Sequence, residues 1–147
     1  MKTSKAGLDL IKRFEGFKSA PYLCPAGKPT IGYGSCFYAD GKPVTLKDEP
    51  ITETEADSLL SSTLEQYERA VTKAAKVPLS QGMFDALVSF AYNAGPANMA
   101  SSTLMRKLNA GDIKGAAAEF DRWVYGGGVR LAGLTKRRDA EQALFLS

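Results

Sequence analysis

Thr52-Glu53-Thr54-Glu55-Ala56-Asp57-Ser58-Leu59-Leu60 opens the stretch that organises this chain. Thr52 and Glu55 have the spacing of a capping box, the hydroxyl reaching forward to the third helical amide and the carboxylate reaching back. Behind them Leu60, Leu64, Tyr67, Val71 and Ala74 recur at helical intervals as one apolar stripe, and Pro78 is expected to end the element. About 22 residues at 1.5 Å each give a rod of about 33 Å, long enough to bridge two lobes.

The chain changes character on either side of this rod. Upstream, Leu8, Ile11 and Phe14 follow helical spacing up to Glu15, and Gly16 stops the helix. From Phe17 to Val44, prolines and glycines punctuate short runs of Tyr, Thr, Ile and Phe, the pattern of short antiparallel strands, with a turn at Ala39-Asp40-Gly41-Lys42. Downstream, Ser80 caps a helix whose Phe84, Leu87, Val88 and Ala91 share a face, and Gly95-Pro96 closes it. Short helices near 102–109 and 112–123, a Gly126-Gly127-Gly128 loop and a closing helix from about Leu134 to Phe145 complete the reading. The expected fold class is α+β: a small N-terminal lobe with a short antiparallel sheet (about 1–52), a long connecting helix (53–77) and an all-helical C-terminal lobe (78–147), together one domain.

Composition narrows the chemistry. Of 147 residues, 44% are apolar and 24% charged, a globular balance, and no apolar run approaches a membrane span. Met1–Ala6 has no apolar segment behind its basic residues, so no secretory signal is expected, nor stable membrane insertion. Histidine is absent, which excludes Ser–His and Cys–His catalysis and histidine-ligated zinc. No metal or cofactor is expected. The net charge of +3 is too small to argue for nucleic acid, though an acidic middle separates two basic ends. Cys24 and Cys36 are the only cysteines. A disulfide is conceivable at that spacing, but thiols are the expectation for a product of a reducing cytosol.

Glu15 is the carboxylate that stands out. It closes a helix at the end where the macrodipole disfavours negative charge, between Phe14 and Phe17, and a carboxyl group kept protonated is what a glycosidase acid requires. Eight residues separate it from Cys24 and five more lead to Thr30, followed by Ile31-Gly32-Tyr33-Gly34. This series resembles the signature of the phage-type lysozymes. Asp85–Gly95 resembles that family's central helix, Phe120-Asp121-Arg122-Trp123 its tryptophan segment, and Gly133–Glu141 its basic closing helix.

The resemblance implies an endolysin that hydrolyses the β-1,4 bond between N-acetylmuramic acid and N-acetylglucosamine in bacterial peptidoglycan. It implies Glu15 as general acid, Thr30 holding a water or hydroxyl, and Gly32, Tyr33 and Gly34 contacting sugar. It also implies a monomer made in the host cytoplasm that reaches the periplasmic wall with a holin-type partner. Cys24 departs from the usual aspartate, leaving a base, a nucleophile or a water-orienting thiol as its role, and Ser35 stands where relatives often have histidine. A wall-binding virion module that has lost turnover and a lytic transglycosylase are the alternative readings. Within Lys136-Arg137-Arg138, Arg137 is expected either to be solvated or to turn inward and pair with Glu15. Trp123, the only tryptophan, reads as core rather than sugar platform.

Overall fold

The computed structural model describes residues 1–147. Helix α1 (Lys5–Glu15) precedes strands β1 (Lys18–Leu23) and β2 (Pro29–Gly32), and the long α2 (Glu53–Ala74) follows. Then come α3 (Gln81–Ala94), α4 (Pro96–Ser101), α5 (Thr103–Asn109), α6 (Ile113–Glu119), a 3-10 turn (Phe120–Arg122), β3 (Tyr125–Gly126), β4 (Val129–Arg130) and α7 (Ala132–Phe145). The chain divides into two units: Ile11–Gln66, and Met1–Leu10 together with Tyr67–Ser147.

In the unit Ile11–Gln66, β1 and β2 pair antiparallel with Tyr22 opposite Thr30 and Leu23 opposite Pro29; an irregularity between Lys18 and Tyr22 bends β1. The meander continues through bridges Ile31–Ser35 and Phe37–Pro43, and the Ala39–Lys42 turn closes with the Tyr38 N–H donating to Lys42 O at 2.9 Å. A core this small needs help from turns. Ile31, Val44 and Leu59 form it, with Tyr38 and Ile51 packed against them. Gly32 (φ +68°) is required twice over: its backbone is left-handed, and a β-carbon there would lie 3.3 Å from Ala56 Cβ. The capping box forms with both arms, the Glu55 N–H donating to Thr52 Oγ1 at 3.1 Å and the Thr52 N–H to Glu55 Oε1 at 3.0 Å.

The second unit is organised on α3, buried from Met83 to Ala91 and packed along α7. Edge-to-face rings run through it: Phe90 against Phe120 (5.6 Å) and Trp123 (5.2 Å), and Phe120 against Phe145 (5.5 Å). Ser80, Ser102 and Asp112 cap α3, α5 and α6 through their side chains. Asp85, buried on α3, accepts from Ser4 N–H (3.0 Å) and Gln81 Nε2 (2.8 Å), tying the start of α1 to α3.

Three sequence expectations need correction in detail. Helix α2 stops at Ala74, short of Pro78, because Asn109 takes over the end: its Nδ2 donates to Ala74 O (3.0 Å) and its Oδ1 accepts from Lys76 N–H (2.7 Å). Gly126–Gly128 is not a plain loop but the centre of a β3–β4 hairpin with Gly127 and Gly128 at positive φ, so the C-terminal part is not wholly helical. Helix α7 also starts two residues early, at Ala132. No helix is long and apolar enough to cross a membrane.

Candidate active site

Glu15 is the last residue of α1. The helix stops there because Gly16 takes φ +74° while its N–H still donates to Lys12 O at 3.0 Å. The carboxylate is half-buried, with Phe14 and Phe17 also half-buried beside it in sequence.

The β1–β2 hairpin carries the other two signature residues. Cys24 begins its turn, its N–H donating to Lys28 O (3.0 Å) and its carbonyl accepting from Gly27 N–H (2.8 Å). The thiol is drawn below its ordinary value, first by the Lys28 backbone N–H; burial opposes this, and the Ala26 N–H and the Thr30 hydroxyl add to it. Thr30 is 2% exposed. Its hydroxyl donates to Lys28 O at 2.9 Å and lies 3.6 Å from Cys36 Sγ. A hydroxyl has one proton, so while it is given to Lys28 the Cys36 S–H is the donor in the second contact. Ionisation of Cys24 offers that same Thr30 proton a competing acceptor.

Tyr22 is the residue that sequence reasoning missed. Burial first, then the negative charges of Glu15, Cys24 and Cys36, push its phenol up and keep it protonated. One half-buried phenol therefore feels the helix-end carboxylate and both thiols.

The register also settles the cysteines. Tyr22 faces Thr30 across one side of β2, and the Ile31–Ser35 bridge puts Cys36 across the other. Two strand spacings, about 9.5 Å, separate the backbones carrying Cys24 and Cys36, beyond the reach of an unstrained disulfide. Both are free thiols.

Gly32, Tyr33 and Gly34 form the tight turn between Ile31 and Ser35, whose backbones exchange hydrogen bonds of 2.9 and 3.0 Å. An open ring face for sugar, expected at Tyr33, is absent. The side chain is 6% exposed, packed on Phe17 (5.7 Å) with Lys12 Nζ 5.3 Å from its ring centre, and Lys12 is itself paired with Asp57 at 2.7 Å. Gly34, at φ +94°, stays partly open.

In the helical unit the basic triplet splits. Lys136 is exposed, whereas Arg137 and Arg138 are buried around Glu141, which is fully enclosed. Arg137 Nε lies 3.4 Å from Glu141 Oε2 and its NH2 donates to Ser89 O at 3.3 Å. Arg138 pairs with Glu141 Oε1 and Asn93 Oδ1 and donates from Nε to Trp123 O at 3.0 Å. Desolvation pushes the Glu141 carboxyl up and the Arg138 guanidinium down, and the ion pairing works against both shifts.

Residues 12–141 match the family described as Phage lysozyme. The chain is 41% identical over 151 residues to an endolysin of Acyrthosiphon pisum secondary endosymbiont phage 1, covering all of this chain and 99% of that one. It is 44% identical over 149 residues to an endolysin of Bacillus phage B103, of which it spans 55%. Among solved structures, the endolysin from Escherichia coli O157:H7 phage FAHEc1 superposes with a TM-score of 0.89 at 42% identity, covering all of this chain and 94% of that one. A glutamate ending the first helix, a thiol and a threonine on the hairpin behind it, and likeness over the full length lead to one assignment: the chain belongs to the phage lysozyme family of glycoside hydrolases.

Proposed function

We propose that this chain is an endolysin that hydrolyses the β-1,4 bond between N-acetylmuramic acid and N-acetylglucosamine in peptidoglycan, with Glu15, Cys24 and Thr30 as its reacting groups. The observation that supports this most is the match of residues 12–141 to the phage lysozyme family, with the Glu15–Cys24–Thr30 series lying inside it. Glu15 gives its proton to the leaving glycosidic oxygen as the bond to the anomeric carbon breaks. Water adds to that carbon, and its proton passes to the Cys24 thiolate. Thr30 holds the water or a neighbouring substrate hydroxyl. Gly34 leaves backbone open towards sugar.

We also infer a monomer, made in the host cytoplasm, that reaches the wall through a holin-type partner.

The test is Glu15→Gln, nearly isosteric but without a proton to give. Turbidity loss of permeabilised Gram-negative cells is expected to slow by at least about a hundredfold, close to 3 kcal/mol of transition-state stabilisation, with the fold intact. Mass spectrometry of wild-type products should show hydrated muramic acid at reducing ends. Anhydro-muramic ends would identify a transglycosylase instead, and intact glycan with retained binding a wall-binding module. Near-normal lysis by Glu15→Gln would remove Glu15 as the acid.

A further inference from the structure

The proposed reaction makes no use of the β3–β4 hairpin. Gly127 and Gly128, both at positive φ, form its two-residue turn, and every residue from Gly127 to Gly133 is exposed. Gly126 pairs with Val129 and Tyr125 with Arg130, so side chains alternate between the two faces of the ribbon. Val129 and Leu131 share one face and are 62% and 43% exposed. The Leu131 N–H donates to the carbonyl of the buried Val124 at 2.9 Å, and its side chain lies over Gly126, where a β-carbon would come within 2.6 Å of Leu131 Cδ1. Two aliphatic side chains thus stand in water together.

Leu131 is also an unfavourable choice for the helix it precedes. It is the N-cap of α7 and makes no side-chain cap bond, and α7 has no acidic residue in its first turn. A serine or an aspartate there would satisfy an amide that leucine leaves to solvent. A residue that breaks the local rules of its element and adds nothing to the core points to binding.

The charge around this ribbon has one sign. From Arg122 to Arg138 the chain carries five basic residues and no acidic one. Arg122 is paired with Glu119, and Arg137 and Arg138 with Glu141. Arg130 on the ribbon and Lys136 on α7 are exposed and outside these ion pairs. Aliphatic side chains beside free cations match a partner that is apolar within and anionic at its edge. Nucleic acid would call for rings to stack on, and the Val129–Leu131 face has none.

We infer that the β3–β4 hairpin is a contact face for an anionic lipid bilayer, with Val129 and Leu131 entering the boundary between headgroups and acyl chains and Arg130 and Lys136 meeting the lipid phosphates. The contact is peripheral and independent of turnover. The full chain is sedimented with vesicles of phosphatidylglycerol and phosphatidylcholine in equal parts, and with vesicles of phosphatidylcholine alone. Saturable binding is expected with the first, at least about tenfold tighter than with the second, and weaker as salt is added.

Val129→Ser combined with Leu131→Ser should raise the lipid concentration for half-binding by about tenfold, while the melting temperature holds because serine can cap α7. Arg130→Gln and Lys136→Gln should each raise it about fivefold on the anionic vesicles alone. Glu15→Gln should bind as wild type, which separates this face from the chemistry. Absence of binding to the anionic vesicles, or equal binding by the double serine variant, would overturn the inference. So would full displacement of the wild type by soluble polyglutamate, which would give the face to an acidic polymer.

Discussion

In Ile11–Gln66 the buried polar side chains are Thr30 and Ser35, both neutral hydroxyls; in the helical unit they include Asp85, Glu119, Glu141, Arg137 and Arg138. A hydroxyl can be buried beside a strand for little free energy and can turn its one proton from one acceptor to another. Thr30, between Lys28 O and two thiols, is placed to do so. A buried carboxylate between two guanidiniums has no such freedom, since each charge is tolerable only while its partners stay. The hairpin unit therefore keeps its interior neutral around groups that change protonation. The helical unit uses charge to fix how α7 sits on α3.

The largest effect expected from this contrast is on stability. Glu141→Ala leaves two enclosed guanidiniums without their shared carboxylate and should cost about 3–5 kcal/mol, lowering the thermal midpoint by about 10 °C or more. Ser35→Ala removes one hydroxyl contact, to Thr63 Oγ1 at 2.8 Å, and should cost about 1 kcal/mol. Equal losses in calorimetry would abolish the distinction.

Next in size is catalysis at the hairpin. Cys24→Ala should fall by about a hundredfold in lytic rate, while Cys24→Asp should keep or raise it and remain active at pH values where the thiol is protonated. Wild-type activity should climb as the thiol ionises, at a pH below that of an ordinary cysteine because the Lys28 N–H favours the thiolate. Full activity in Cys24→Ala would leave Glu15 and Thr30 as the whole apparatus.

The smallest effect sharpens the comparison within the hairpin unit. Tyr38 donates to Asp48 Oδ2 at 2.7 Å, and burial followed by that carboxylate pushes its phenol up to about 12 from 10.0. The folded state holds this proton more tightly than the unfolded chain. Its contribution is thus complete below about pH 10 and is lost as pH rises towards 12. Melting temperatures should decline over that window in wild type and less steeply in Tyr38→Phe; parallel curves would remove Tyr38 as the cause.

Signals that act over a few residues were legible in advance. The capping box at Thr52–Glu55, the Ser80 cap and the Gly16 stop depend on neighbours in sequence, and each forms as the spacing indicates. The end of α2 was not, because Asn109, thirty-five residues beyond Ala74, supplies it. Gly127-Gly128 between Tyr125 and Val129 did carry a hairpin signal, outweighed by the helical surroundings. At the candidate site, the order Glu15–Cys24–Thr30 was readable as a motif. Tyr22 was not, since it acquires meaning only from partners brought in by register. Tyr33 misled for the same reason: an aromatic beside glycines looks available until Phe17 and Lys12 are seen covering it.

The strand that keeps the two cysteines apart governs how this chain ages in an oxidising medium. With β2 between them, Cys24 cannot retire into an internal crosslink, so oxidant meets it as a lone sulfur. Damage then proceeds through a sulfenic acid or a mixed disulfide with a small thiol, both of which a reductant can reverse. The molecule gains no covalent brace from its sulfur. On the role proposed for Cys24, working life outside a reducing compartment is set by how soon an external oxidant finds that side chain.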